Sequence, residues 1–147
     1  MNDWKYVTSI EDMDAADIQS RIEQAMDYEI ENRIVTIPYV GGLEELVEYR
    51  YPEMTAKCPM TGQRDFYELV IKFTPERLLP ELKSLKLYLA GYDDLPISHE
   101  HLAAKVFREL QETIHPKDMF LQLLVGVRGG IKTTITIDQA GSDKVDK

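Results

Sequence analysis

Apolar side chains recur at Ile18, Ile22, Met26 and Ile30, every fourth position, with Ala25 beside them. That spacing puts them on one helical face and predicts an amphipathic, acidic helix over 12–31. A short apolar stretch from Ile34 to Val40 follows, and Gly41-Gly42 marks a turn or linker. Beyond it the period drops to two. Tyr67, Leu69, Ile71 and Phe73 alternate with Phe66, Glu68, Val70 and Lys72, predicting a strand over 66–74, and Leu43 to Tyr51 reads as its partner. The segment 54–65, with Pro59 and Gly62, reads as the loop between them. Leu78, Leu82, Leu85 and Leu89 share a helical face, so a helix is predicted from Pro75 to Gly91, proline being tolerated at a helix start. A second core helix runs from the N-cap Ser98 through Leu102, Ala103, Val106, Phe107, Leu110 and Ile114 to Pro116. Met119 to Val127 and Ile131 to Ile137 alternate again, around an Arg128-Gly129-Gly130 hairpin.

The order helix, strand-strand-helix-helix-strand-strand predicts an α+β domain, an antiparallel sheet with helices on one face. Residues 1–42 form an N-terminal helical extension, 43–138 the domain, and 139–147 a flexible polar tail. A four-stranded sheet has two edges that must be blunted or paired, so several subunits closing their sheets into a barrel, a homo-oligomer, is the expectation.

Composition narrows the classes. At 147 residues the chain is one domain long and can bury a core without staples. With 44% hydrophobic residues it is ordinary globular material, which excludes disorder throughout. No apolar run approaches the roughly 20 residues needed to span a bilayer. Met-Asn-Asp-Trp-Lys lacks the build of a signal peptide, so a cytoplasmic location is expected. Seventeen basic against 26 acidic residues leave a charge of −9, which argues against a direct nucleic-acid partner. Cys58 is the single cysteine, so no intrachain disulfide or multi-cysteine zinc site is possible.

Candidate chemistry is sparse. Cys58 reads as a small buried hydrophobe or as a thiol displayed on a loop, where Lys57 and Arg64 would favour the reactive thiolate. Asp65, seven residues on, could supply a proton or merely cap the strand. Lys83 and Lys86, three apart on a helix, could hold phosphates or form a solvated face. Arg128 before two glycines is open to the same two readings. His99 and His101 lie two apart and would chelate poorly, so no metal site is expected, whereas Glu100 suits a helix N-terminus and could accept from a purine-like base. No dinucleotide fingerprint, Walker loop or H-E-x-x-H is present.

Taken together, Cys58-Pro-Met-Thr-Gly-Gln-Arg-Asp65-Phe66, Glu81-Leu-Lys-Ser-Leu-Lys-Leu-Tyr88, His99-Glu100 and Arg128-Gly-Gly-Ile131 resemble the successive motifs of the NADPH-dependent 7-cyano-7-deazaguanine reductases, short unimodular type. The resemblance spans about Tyr49 to Ile137. It implies the tunnelling fold, in which such units assemble into barrels with active sites at subunit interfaces. It also implies reduction of the small-molecule substrate 7-cyano-7-deazaguanine to 7-aminomethyl-7-deazaguanine with two NADPH, in queuosine biosynthesis. Carried over by position, Cys58 is the nucleophile that forms a covalent thioimide with the nitrile carbon, and Asp65 the proton donor. Pro80, Glu81, Leu82, His99 and Glu100 match substrate-binding positions, and Lys83, Lys86 and Arg128 match positions expected to hold the cofactor. Arg64 stands where the family usually has proline, and Asp93-Asp94 fall in a loop that is usually basic or amide-rich. Two other readings compete: an amidinotransferase that forms the same thioimide on a base in tRNA, and a non-catalytic module that binds a purine or pterin.

Overall fold

The computed structural model describes Tyr6 and residues 9–140. In chain order its elements are α1 (Ala15–Asp27), β1 (Thr36–Pro38), β2 (Val47–Lys57), β3 (Arg64–Thr74), β4 (Leu78–Pro80), α2 (Leu82–Ala90), α3 (His99–Ile114), β5 (Asp118–Val125) and β6 (Thr134–Ala140). The antiparallel sheet runs β2-β3-β5-β6, and β1 pairs with β4 in a separate two-stranded ribbon. Strand alternation does what the sequence pattern asks. Leu69 faces Leu123, Ile71 faces Leu121 and Phe73 faces Met119 across β3 and β5, all buried. Leu102, Val106, Phe107 and Leu110 of α3 and Leu85, Tyr88 and Leu89 of α2 complete that core. Each such apolar side chain removed from water contributes about 1.5–3 kcal/mol before entropy is charged against it. On the opposite face of the sheet Phe66, Glu68, Lys72 and Gln122 are exposed or half-buried, while Val70 between them is buried. The fold is thus mixed α and β, with helices gathered over one face of an antiparallel sheet.

Three expectations change. The loop between the first two strands shrinks to Cys58–Gln63, because β2 continues to Lys57. Its register breaks between Tyr51 and Met54, where Pro52 cannot donate to the ladder, then resumes with Met54 opposite Tyr67 and Ala56 opposite Asp65. The helix expected from Pro75 begins only at Leu82; Leu78–Pro80 are extended and pair with Thr36–Pro38. Pro80 explains this, since in a helix interior its ring would clash with the preceding turn. Glu81 caps the helix instead, accepting from the Lys83 and Ser84 N–H groups at 2.8 Å each, and Leu82 is 60% exposed rather than in the core. The last strand starts at Thr134 and takes in Gln139 and Ala140, residues read as tail, while 141–147 lie outside the described residues. Gly129 and Gly130, at φ 58° and 81°, form the tight turn, with Arg128 and Ile131 exchanging backbone bonds of 3.1 and 3.0 Å across it.

The N-terminal segment packs into the same core, with Ala25 and Ile30 buried in it. Buried Lys105 of α3 donates to the Met26 carbonyl at 3.0 Å and to Glu109 at 2.6 Å, satisfying its charge while tying α1 to α3. Among the described residues no helix is long and apolar enough to cross a membrane.

Candidate active site

Cys58 directly follows β2 and opens a six-residue turn that closes on itself. Its N–H donates to the Gln63 carbonyl at 2.8 Å, and its carbonyl accepts from the Gly62 N–H at 2.9 Å. Gly62 adopts φ 73°, which explains the glycine. The thiol is half-buried. Asp65 lies at the start of β3, opposite Ala56 and so two residues from Cys58 across the hairpin. Lys57 then reaches sideways: its N–H donates to Leu95 at 3.0 Å and its carbonyl accepts from Ile97 at 2.9 Å. This parallel bridge brings the start of α3, with His99 and Glu100, beside the Cys58 hairpin. From the other side the Gly126 N–H donates to Phe66 at 2.8 Å, extending the β3–β5 pairing until Arg128 reaches Asp65.

The side chains converge on a buried carboxyl. Asp65 is 4% exposed, its Oδ1 2.6 Å from an Arg128 nitrogen and its Oδ2 3.9 Å from Nδ1 of His99. Burial raises its pKa above the ordinary carboxylate range, and Arg128 and then His99 pull it back only in part. Arg128 also donates to the Arg64 carbonyl at 3.1 Å. Tyr67 is a further member that motif reasoning passes over, because on β3 it reads as one more core aromatic. Its hydroxyl lies 3.0 Å from Nδ1 of His99, and the two rings meet edge to face at 5.5 Å. Burial, together with the charges of Asp65, Cys58 and Glu100 and against that of Arg128, pushes its phenol well above its usual range, so it keeps its proton. Such a site can offer a thiol nucleophile, a carboxyl able to hold a proton, and polar groups for a planar ligand. His101 lies apart from this cluster, its Nδ1 bonded to the Ser98 hydroxyl.

The remaining expected residues sit elsewhere. Pro80 ends β4, Glu81 caps α2, and Leu82 and Lys83 are its first residues, whereas Cys58 and Asp65 lie at the Lys57 and Arg64 end of the β2–β3 hairpin. Leu82 and Lys86 line a groove of about 450 Å³ over Tyr49 and Tyr51 of β2. The two residues that depart from the family pattern meet each other. Arg64 donates to the Asp93 carbonyl at 2.6 Å and to Asp94 Oδ1 at 2.9 Å, and Lys57 lies 3.5 Å from the same Asp94 oxygen. The acidic loop is therefore neutralised from within the chain.

A profile of the family described as QueF-like protein matches residues 64–144. The NADPH-dependent 7-cyano-7-deazaguanine reductase of Halorhodospira halophila is 41% identical over 95 residues, 65% of this chain and 80% of that protein. The enzyme of the same name from Thermosynechococcus vestitus is 34% identical over 109 residues, 74% of this chain and 83% of the relative. Among solved structures, the apo archaeosine synthase QueF-Like superposes with a TM-score of 0.61 over 65% of this chain and 94% of its own, at 18% identity, a likeness of fold.

Proposed function

From the premise that the chain belongs to the family of NADPH-dependent 7-cyano-7-deazaguanine reductases, we propose that it reduces the nitrile of 7-cyano-7-deazaguanine to an aminomethyl group, with Cys58 as nucleophile and Asp65 as proton donor. The observation that carries this reading is the buried Asp65 carboxyl, raised in pKa, at the same hairpin end as the half-buried Cys58. Addition of the Cys58 sulfur as thiolate, its proton released to solvent, to the nitrile carbon forms a carbon–sulfur bond and breaks one carbon–nitrogen π bond. The nitrogen takes the Asp65 proton, leaving a neutral thioimide on Cys58. The carboxylate so formed is stabilised by Arg128 at 2.6 Å. A thioimide accepts hydride more readily than a nitrile, so covalent attachment divides a hard step into easier ones. His99 and Glu100 present polar groups at the mouth, where the Glu100 carboxylate would accept from the N–H edge of a guanine-like base.

NADPH, when bound, supplies the hydrides. Lys83 and Lys86 suit its phosphates: both are exposed on α2, and neither has an ion-pair partner among the described residues. Arg128, turned toward Asp65, is close to the reacting groups, so any hold it has on the cofactor is shared with the carboxyl.

In this reading a second copy of the chain supplies the Pro80, Glu81 and Leu82 stretch to the Cys58 site. Two features support it: Leu82 lines the groove over Tyr49, Tyr51, Leu69 and Ile71 while Cys58 follows the Lys57 end of β2, and β2 and β6 are edges of the sheet. Sheets joined edge to edge would give the tunnelling-fold barrel. The test is direct. Mixing the protein with 7-cyano-7-deazaguanine should add the mass of the base to the wild type and nothing to Cys58→Ala, and NADPH should be oxidised only when the nitrile is present. No adduct overturns the covalent route; an adduct without oxidation overturns reduction.

A further inference from the structure

Arg21 of α1 is 4% exposed, and its guanidinium reaches Asp17 and Pro59 among the described residues. One nitrogen lies 2.9 Å from Asp17, one turn earlier on the same helix. The other donates at 2.8 Å to the carbonyl of Pro59, the residue after Cys58 and 38 positions away in sequence. A second grip comes from Tyr6, whose ring lies against Gly62: a Cβ built there would come within 2.7 Å of it. Both ends of the turn that carries the thiol are thus held by the segment preceding β1, which lies outside the residues matched by the family profile.

Burying a guanidinium is costly unless its donors are satisfied, and a surface helix gains nothing from directing one inward. A six-residue turn held only by its own backbone bonds would sample several geometries, as exposed loops do. Covalent attack requires the sulfur near 3–3.5 Å and aligned with the acceptor carbon, and a displacement of about 1 Å can cost 10²-fold. We propose that the N-terminal segment is a positioning device for the nucleophile, and that Arg21, oriented by Asp17, holds the Cys58–Gln63 turn in its attacking geometry through the Pro59 carbonyl. This rests on the reading of Cys58 as nucleophile.

The experiment pairs two readouts on the intact chain, for Arg21→Met, which keeps most of the buried volume, and Asp17→Asn, which leaves the guanidinium in place but unoriented. Hydrogen exchange at the Gly62 amide, bonded to the Cys58 carbonyl, should accelerate in Arg21→Met while core amides of β3 and β5 stay protected. The rate of thioimide formation should fall about tenfold or more, with the affinity of 7-cyano-7-deazaguanine, measured in the Cys58→Ala background, unchanged. Asp17→Asn should show a smaller change of the same kind, and Arg21→Lys should recover part of the rate. Unchanged Gly62 exchange in Arg21→Met overturns the proposal. So does a fall in rate matched by loss of protection throughout the core, which is general destabilisation. Faster Gly62 exchange in a protein whose wild type forms no adduct would leave the clamp standing and remove the nucleophile reading instead.

Discussion

Arg128 and the buried Asp65 stand 2.6 Å apart, so the carboxyl assigned to proton donation is faced by a cation at all times. The pairing reconciles two needs. Burial favours the protonated carboxyl, and the guanidinium stabilises the carboxylate once the proton has left.

Asp65 should therefore give stability of an unusual sign. Its folded-state pKa lies above the unfolded one, so its contribution is present below the unfolded value and lost as pH rises through the folded value. Urea unfolding across a pH series should show the wild type gaining on Asp65→Asn toward acid pH and losing that margin as pH rises. A margin that grows with pH would refute the assignment. Turnover of Asp65→Asn should drop by about 10²–10⁴-fold, the range for loss of a general acid, with affinity for the base nearly kept.

Arg128→Gln removes the larger of the two influences that lower the Asp65 pKa. The alkaline limb of thioimide formation should then move to higher pH, because the acid stays protonated longer. The KM for NADPH measured on the same variant reports whether Arg128 also holds the cofactor. A limb that stays in place would mean another group donates the proton.

Arg64 and Asp94 join the Cys58 hairpin to the loop after α2. Both are exposed enough to be screened, so Arg64→Ala should cost under about 1 kcal/mol of stability. Thioimide formation should slow several-fold, more so in the absence of salt-bridge rescue, and the exchanged pair Arg64→Asp with Asp94→Arg should recover part of the rate. Equal damage from the single and double variants would exclude the ion pair as the link.

Tyr67 keeps its proton and its hydroxyl lies 3.0 Å from His99 Nδ1; a hydroxyl that donates there selects the imidazole tautomer with its proton on Nε2. Nitrogen NMR of histidine-labelled protein, with His99 assigned by a His99→Gln variant, should show that tautomer in the wild type and a mixture in Tyr67→Phe. The KM for the base should rise about two- to tenfold, the worth of one hydrogen bond, with kcat less affected.

Lys83→Ala with Lys86→Ala should raise the KM for NADPH and flatten its salt dependence while thioimide formation proceeds at the wild-type rate. A loss of adduct formation would place these lysines at the substrate instead.

Cys58, Asp65, His99 and Arg128 are legible as candidates because each belongs to a local motif, and the paired strands and α3 are legible because their periodicities are long and regular. Tyr67 is not, since on β3 its alternation is that of a core residue and only α3 packing over the sheet brings His99 to its hydroxyl. The helix start is misread for a related reason. Leu78, Leu82, Leu85 and Leu89 keep helical spacing, yet Pro80 and the pairing of β4 with β1, 42 positions apart at Leu79 and Ile37, decide the conformation of the first of them. Arg21 likewise reads as a charge on the polar side of an amphipathic helix until the fold sets Pro59 against it.

The sequence by itself determined the local elements, the class of chemistry and the family, because helix and strand periods, turn glycines and short motifs act over a few residues. Only the tertiary structure decided which charges meet. Arg128 on Asp65, Arg64 on Asp94 and Arg21 on Pro59 each close a contact between distant segments, and their strength depends on burial that no local pattern encodes.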